Sequence, residues 1–396
     1  MKASTATAWI AALFLASSVF SHTVALRLVL LAAGIVTASI AVAKEKNLSA
    51  LPPIWIPFVL WGAWALASLA WSIEPERTLK EWRNEVFYTA AALGICYVGA
   101  QARQAERILL PVLGAASMIV CGVALYNFSR GIGPYQQGFH GGPGDHSSAL
   151  LTLMPCALVM AWHAARTSRP RLVWVACGLA ALFVVSAYTT LNRTIWLGFI
   201  VQLALVSAMI LRRALALSAR SKRIAALVSL AALASSLAVL GSVQSERERM
   251  RIAHPMERDS RLALWPEILE RAGERPMTGF GFGRGLLRDE LRAELGAVDV
   301  DLWHAHNLFL DALVQVGAPG VLLLVVLLGV LAYRAWLMAG SPDDAAAACG
   351  IALLAVVAGM VVRNMTDSLL VRQNALLFWG LAGALLAMGR RWPVSR

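Results

Sequence analysis

The sequence predicts an all-α, polytopic membrane protein. Mean hydropathy is +0.65, and 59% of the residues are hydrophobic while only 15% are charged. A membrane-spanning helix needs about 20 apolar residues, and about twelve runs in the chain approach that length. Basic residues gather in alternate gaps between these runs. This composition excludes an ordinary soluble domain.

The apolar runs divide the chain into three parts. Residues 1–241 hold predicted membrane helices 1–9, residues 242–305 form one large outer loop, and residues 306–396 hold helices 10–12. The first run has the length of a signal peptide. It lacks a small-x-small cleavage site before Ser21-His22, so we predict a retained helix. The runs lie near 6–20, 23–43, 54–72, 86–100, 107–127, 148–164, 171–190, 194–211, 223–242, 307–333, 345–362 and 369–389.

The distribution of charge predicts the topology. The formal net charge is +12, but Lys and Arg concentrate in the gaps that would face the cytoplasm if both termini are inside. The basic excess is therefore mainly a membrane-orientation signal, and nucleic acid is not an expected partner. All five cysteines fall inside apolar runs and none forms a CxxC pair, which predicts neither disulfides nor metal ligands.

Two outer segments are candidates for function. Asn127–Ser147 is rich in Gly and Pro and contains His140, Asp145 and His146. Because these three follow no known ligand spacing, we predict an irregular loop and disfavour a metal site. No metal and no cofactor are expected for the chain.

The large loop contains a second pattern. Asp259–Ala272 has apolar residues at helical spacing, which predicts an amphipathic helix lying on the membrane, with Asp259 or Ser260 as N-cap. The apolar residues are Leu262, Trp265, Ile268, Leu269 and Ala272. Gly279, Gly281, Gly283 and Gly285 follow. They do not fit a dinucleotide fingerprint, so we expect a flexible turn whose backbone amides approach an anion. A second polar helix is expected at Leu286–Leu295.

His306-Asn307 stands where the polar loop meets the next apolar run. An imidazole titrates near neutral pH and can take a proton from a hydroxyl, which makes His306 a candidate general base. The competing interpretation, a histidine at a helix start and partly in water, is equally compatible with this pattern.

Several arginines fall at predicted outer helix ends or in the large loop. Arg193 is the only charge in its short loop, and Arg258 and Arg261 lie at the amphipathic helix. A guanidinium suits phosphate oxygens, so these three predict a lipid-linked phosphate site. Arg363 and Arg372 also lie at outer ends, where contact with lipid headgroups is the favoured interpretation.

Three segments together resemble the O-antigen ligase and O-antigen polymerase superfamily. His306-Asn307-Leu308, followed by Gly317 and Gly320, is similar to the family's His-Asn signature that opens a membrane helix. Asn192–Leu197 resembles its Arg-Thr motif. Arg261–Trp265 with Pro276 and Gly279–Gly281 resembles its large periplasmic loop. The motifs are specific for the superfamily and less so for its branches.

The resemblance implies a GT-C-like glycosyltransferase of the bacterial inner membrane with its active site on the periplasmic side. The donor would be a polysaccharide linked to undecaprenyl diphosphate, and the acceptor a sugar hydroxyl of lipid A–core. His306 would be the general base, and Arg193, Arg261 and Arg258 would bind the diphosphate. Asn307, Trp265, Gly281, Gly317 and Arg363 would support the site. The reaction would invert the anomeric carbon and need no metal.

Other functions remain open. A polymerase of the same superfamily would join two lipid-linked substrates, and a protein O-oligosaccharyltransferase would need room for a protein acceptor. A transporter or flippase predicts charges at mid-membrane depth, whereas the prominent charges here lie at the outer rim. His304 is a competing base. On a helix it would point about 200° away from His306, so the two should not share a face.

Overall fold

The computed structural model describes residues 2–132, 141–213, 261–288, 291 and 304–390. Every regular element in these ranges is a helix, which confirms the predicted all-α class. The helices are α1 (Ala3–Ser18), α2 (Val24–Lys44), α3 (Trp55–Ala67), α4 (Pro75–Trp82), α5 (Tyr88–Ala100), α6 (Ala105–Ser129), α7 (Pro143–Arg166), α8 (Pro170–Tyr188), α9 (Arg193–Arg213), α10 (Arg261–Glu274), α11 (Leu308–Ala339), α12 (Asp344–Asn364) and α13 (Arg372–Arg390). A 3₁₀ turn, Ser68–Ala70, follows α3, and a π turn, Arg83–Phe87, joins α4 to α5.

Seven of the described helices are long and apolar enough to cross a membrane: α2, α6, α7, α8, α9, α11 and α12. Helix α1 and the stretch Trp55–Ala70 are shorter but also apolar. The protein is therefore a polytopic membrane protein. The count of twelve spans stays a prediction, because the run near 223–242 lies outside the described residues.

Three helices begin or end around His306 and define what we call the site end of the bundle. Helix α11 starts beside it, α12 runs back to it, and α13 leaves it. Helix α9 packs against α7 and α12, and α5 packs closely against α13. Among the described parts of the chain, the main buried core lies between these helices, with Trp196, Phe378 and Leu353 among its members.

Helix α11 is broken at Gly317, where the backbone leaves helical geometry with φ 68° and ψ −177°. The break exposes carbonyls that other segments then satisfy. Val314 O accepts from Phe280 N and Gln315 O from Gly281 N, both at 2.9 Å, and Val316 O accepts from Trp64 Nε1 at 2.8 Å. The loop of residues 276–283 is therefore inserted into the helix break.

Two glycines make this close approach possible. Gly279 and Gly317 both have positive φ, and a Cβ on either would collide with the backbone of the facing segment. The prediction of a flexible, anion-binding glycine turn is wrong. The amides of residues 280–283 are all occupied by protein acceptors, because the turn replaces the missing hydrogen bonds of α11.

Helix α10 packs on protein rather than lying free on the membrane as predicted. Its buried face is formed by Leu264, Ile268 and Ala272, which contact Phe280 and Val314. Leu269, assigned to the apolar face by its spacing, is 51% exposed. The interaction with the start of α11 determined which side of α10 became buried. The predicted caps Asp259 and Ser260, and most of Leu286–Leu295, lie outside the described residues.

Candidate active site

His306 lies in an irregular segment just before α11. Its φ is 49°, a left-handed conformation that is uncommon for a residue other than glycine. The next residue, Asn307, caps the helix, because its Oδ1 accepts from Phe309 N at 2.9 Å and Leu310 N at 3.2 Å. Its Nδ2 donates to Met365 O at 3.0 Å. Asn307 thereby fixes the segment that carries His306 to the loop after α12.

His304 and His306 share one face, contrary to the prediction. Their rings stack with centroids 3.9 Å apart at 34°. The prediction assumed a helix, but α11 begins only at Leu308, and the left-handed turn at His306 brings the rings together. His306 N donates to His304 Nδ1 at 3.1 Å, so His304 helps to hold His306.

The environments of the two histidines differ. Burial lowers the pKa of His304, and the neighbouring carboxylate of Asp311 only partly offsets this effect. Its side chain is 5% exposed, and its Nδ1 lies 3.4 Å from Asp311 Oδ2. The side chain of His306 is 21% exposed. His306 is therefore the more accessible of the two rings.

Asp367 is the partner of His306 and was missed by sequence reasoning. His306 Nδ1 lies 3.3 Å from Asp367 Oδ1, and Arg363 Nη2 lies 3.3 Å from Asp367 Oδ2. Burial would raise the pKa of Asp367, but the hydrogen bond from His306 and the charge of Arg363 outweigh it and hold the pKa well below its usual range. The carboxylate stays ionised and favours a proton on His306 Nδ1, which leaves Nε2 as the acceptor.

Arg363 is buried, with 1% of its side chain exposed, so the favoured interpretation of a headgroup contact is wrong. Besides Asp367, its Nε donates to Ser147 Oγ at 3.4 Å, which links α12 to the start of α7. The sequence-based prediction put Arg363 at the membrane surface because this residue ends an apolar run. In the fold, however, that helix end is enclosed by its neighbours.

Of the three predicted diphosphate-binding arginines, Arg193 is the one whose side chain lies in the described part of the chain. Arg193 is the first residue of α9 and half-buried, at the site end and on a helix that packs against α7 and α12. Arg261 is the first residue of α10, with its side chain outside the described part of the chain. Arg258 lies outside the described residues. The structure thus brings Arg193 to the same end of the bundle as His306.

The other predicted supporting residues hold the site loop in place. Trp265 Nε1 donates to Ala305 O at 2.9 Å, which fixes α10 to the residue preceding His306. Gly281 has φ 116°, and a Cβ there would collide with Ser72. Gly317 forms the break in α11. These three residues determine where the site segment lies.

His304, His306 and Asp367 each offer one donor atom, and the three atoms lie within 4.8 Å of one another. Such a group could hold a metal ion. Both Asp367 oxygens, however, already have protein partners, since Oδ1 also accepts from Ser368 N at 2.9 Å. Asp145 and His146 lie in the first turn of α7, so the prediction of an irregular loop is wrong for residues 143–147. Asp145 accepts from Gln373 and Asn374, and His146 bonds Ser186. His140 lies outside the described residues.

A cavity of about 150 Å³ adjoins the site beneath Leu308 and Ser368. Four arginines and three carboxylates line it, and of these the sequence singled out only Arg372, as a headgroup contact. Among these, Glu85 accepts from Arg372 N at 2.9 and 3.2 Å. Burial and then Glu81 raise its pKa, while the Arg372 amide and the charges of Arg284 and Arg372 lower it, and the net result is a pKa of about 7.

Residues 178–325 match the family model described as O-antigen ligase. The match includes Arg193, Trp265, His306 and Gly317, which all belong to the segments just described. The matched residues, a little over a third of the chain, are similar to the O-antigen ligase/polymerase superfamily. The similarity supports a membrane-bound transferase in general. No curated protein sequence matches the chain.

Proposed function

We propose that this protein is an O-antigen ligase. It transfers a polysaccharide from undecaprenyl diphosphate to a sugar hydroxyl of lipid A–core on the periplasmic face of the inner membrane. The observation that carries this proposal is the His306–Asp367–Arg363 arrangement at the site end. It supplies an oriented imidazole beside an enclosed arginine, within a fold whose family acts on lipid-linked polysaccharide.

His306 acts as the general base. Asp367 orients its ring, and Nε2 takes the proton from the acceptor hydroxyl as that oxygen attacks the anomeric carbon of the donor. The bond from that carbon to the diphosphate oxygen breaks, so the configuration is inverted. Arg193, with Arg261 and Arg258, neutralises the departing diphosphate, which otherwise would need a metal ion.

The roles of the two histidines are tested by substitution. In a purified assay, His306→Ala should lower transfer by about 10²–10⁴-fold while donor binding persists. His304→Asn keeps an acceptor for the His306 amide and should be much milder. His163→Ala, at the opposite end of α7, is the matched control. Equal losses for both site histidines would show that the base is misassigned.

The surface polysaccharide of a strain lacking the gene separates ligase from polymerase. Loss of the ligase leaves full-length polymer on the lipid carrier and none on lipid A–core. Accumulation of single repeat units would instead indicate a polymerase that joins two lipid-linked substrates.

A further inference from the structure

The cavity beside the site, which we call the arginine cavity, collects positive charge from separate parts of the chain. Arg77 comes from α4, Arg284 and Arg288 from the segment after Gly283, and Arg372 from the start of α13. Guanidinium groups repel one another, so such a cluster needs compensating charge. Glu81, Glu85 and Asp311 line the same cavity, so three carboxylates face four guanidinium groups in its wall, and Glu74 lies 3.6 Å from Arg77.

The fold holds these arginines in place. A Cβ at Gly285 would overlap the guanidinium of Arg77, so the glycine provides the space that this side chain occupies. Arg284 Nη1 donates to Ser368 O, next to Asp367. The backbone of Arg372 is fixed by Glu85. The side chains of Arg77 and Arg284 and the backbone of Arg372 are therefore held in position.

The arginine cavity does not include Arg193, the one predicted diphosphate-binding arginine whose side chain is described. It is lined by α3, α4, α11 and α13 with the segment after Gly281, whereas Arg193 begins a helix that packs against α7 and α12. Its wall includes Leu308 and Ser368, the neighbours of Asn307 and Asp367. A ligand in this cavity would therefore approach His306 from the side on which Leu308 and Ser368 lie.

The other residues that line the arginine cavity suit a saccharide ligand. Trp61 lines the arginine cavity, and its Nε1 is shielded from solvent without a hydrogen-bond partner among the described residues. An indole offers a sugar both an apolar face and one donor. Guanidinium groups recognise phosphate in bidentate geometry.

We propose that the arginine cavity binds the acceptor as a phosphorylated saccharide and places its hydroxyl at His306. This inference rests on the proposed function, whose acceptor it specifies by chemical class. The arginines bind the phosphate, and the carboxylates and Trp61 contact sugar hydroxyls. A neutral saccharide of the same size binds much more weakly.

Steady-state transfer by the purified full chain tests the assignment. Arg77→Gln and Arg288→Gln should each raise the KM for acceptor at least about tenfold, the loss expected for one charge-assisted hydrogen bond. The KM for donor should not change. Arg83→Gln, an exposed arginine outside the cavity, is the matched control and should change neither. A rise in the donor KM alone, or no change in either KM, overturns the proposal.

Equilibrium binding separates this proposal from the proposed function. Core oligosaccharide with its phosphates intact, and the same oligosaccharide after phosphate removal, are titrated against the purified chain and against Arg77→Gln. Phosphate-dependent binding that Arg77→Gln weakens supports the cavity assignment even if no transfer is observed. Equal binding of the two oligosaccharides overturns it even in a protein that transfers polysaccharide.

Discussion

Replacing Asp367 by Asn tests how the base is oriented, because the substitution keeps the shape and removes one acceptor. The carboxylate presents Oδ2 to Arg363 Nη2 and Oδ1 to His306 Nδ1, both at 3.3 Å, and Oδ1 also accepts from Ser368 N at 2.9 Å. An amide has one oxygen. The positive, buried Arg363 binds that oxygen more strongly than a neutral imidazole does. The NH₂ group then faces His306.

Replacing the carboxylate by this amide should reverse the tautomer of His306. An NH₂ group opposite Nδ1 requires Nδ1 to accept, so the proton moves to Nε2 and the base is lost. We therefore expect Asp367→Asn to lower the single-turnover rate by about 10²–10⁴-fold, close to the effect of His306→Ala. Binding of donor should be retained, because no diphosphate ligand is removed.

A double mutant measures whether the two residues act together. His306→Ala combined with Asp367→Asn should be no slower than His306→Ala alone, since a tautomer cannot matter without the ring. The assay is single-turnover transfer by each folded variant in detergent. Full activity of Asp367→Asn, or losses that multiply in the double mutant, would refute the reasoning.

Four further outcomes follow. EDTA should leave transfer largely intact. If EDTA abolished activity and Mg²⁺ or Mn²⁺ restored it, His304, His306 and Asp367 would be metal ligands instead. A membrane-impermeant thiol reagent applied from the periplasm should label Glu270→Cys and spare Arg103→Cys; the reverse result would put the site in the wrong compartment. Arg193→Ala should weaken donor binding by about 1.5–3 kcal/mol, and Arg193→Lys should restore only part of it, because a point charge cannot make the bidentate contact. Glu85 has a pKa raised to about 7 in the folded protein, so stability should fall as pH rises from about 5 to 8, when the unfolded chain loses this proton first. Glu85→Gln should remove part of that fall, which melting temperatures at pH 5 and pH 8 would show.

The sequence was sufficient for the fold class and for the general position of the site. Apolar runs predicted most described helices to within a few residues, because a membrane imposes a minimum apolar length. The predicted run 307–333, for example, corresponds to α11, Leu308–Ala339. The polar-to-apolar boundary at His306-Asn307 likewise corresponds to a helix start with Asn307 as its cap.

Contacts between distant segments could not be read from local patterns. Asp367 is separated from His306 by 61 residues. One signal did exist, since Asp367 is the only carboxylate between residue 345 and the C-terminus and lies four residues after Arg363. The arginine cavity had no such signal. Its four arginines lie in three separate parts of the chain, each of which reads locally as a solvated or headgroup-facing charge.

The break in α11 connects the loop of residues 276–283 to the candidate site. An uninterrupted helix would have satisfied its own carbonyls at 314 and 316, and only the one at 315, opposite Pro319, would have lacked a donor; it would have left no place for residues 276–283. Because Gly317 interrupts it, that loop is inserted beside the membrane helix, and the chain that follows carries Arg284 to Ser368 and Arg288 to the cavity wall. Trp265, on the preceding helix, fixes Ala305 beside the two histidines. A single non-helical residue thus allows the segment from α10 to Arg288 to support the proposed base from one side and to line the arginine cavity on the other.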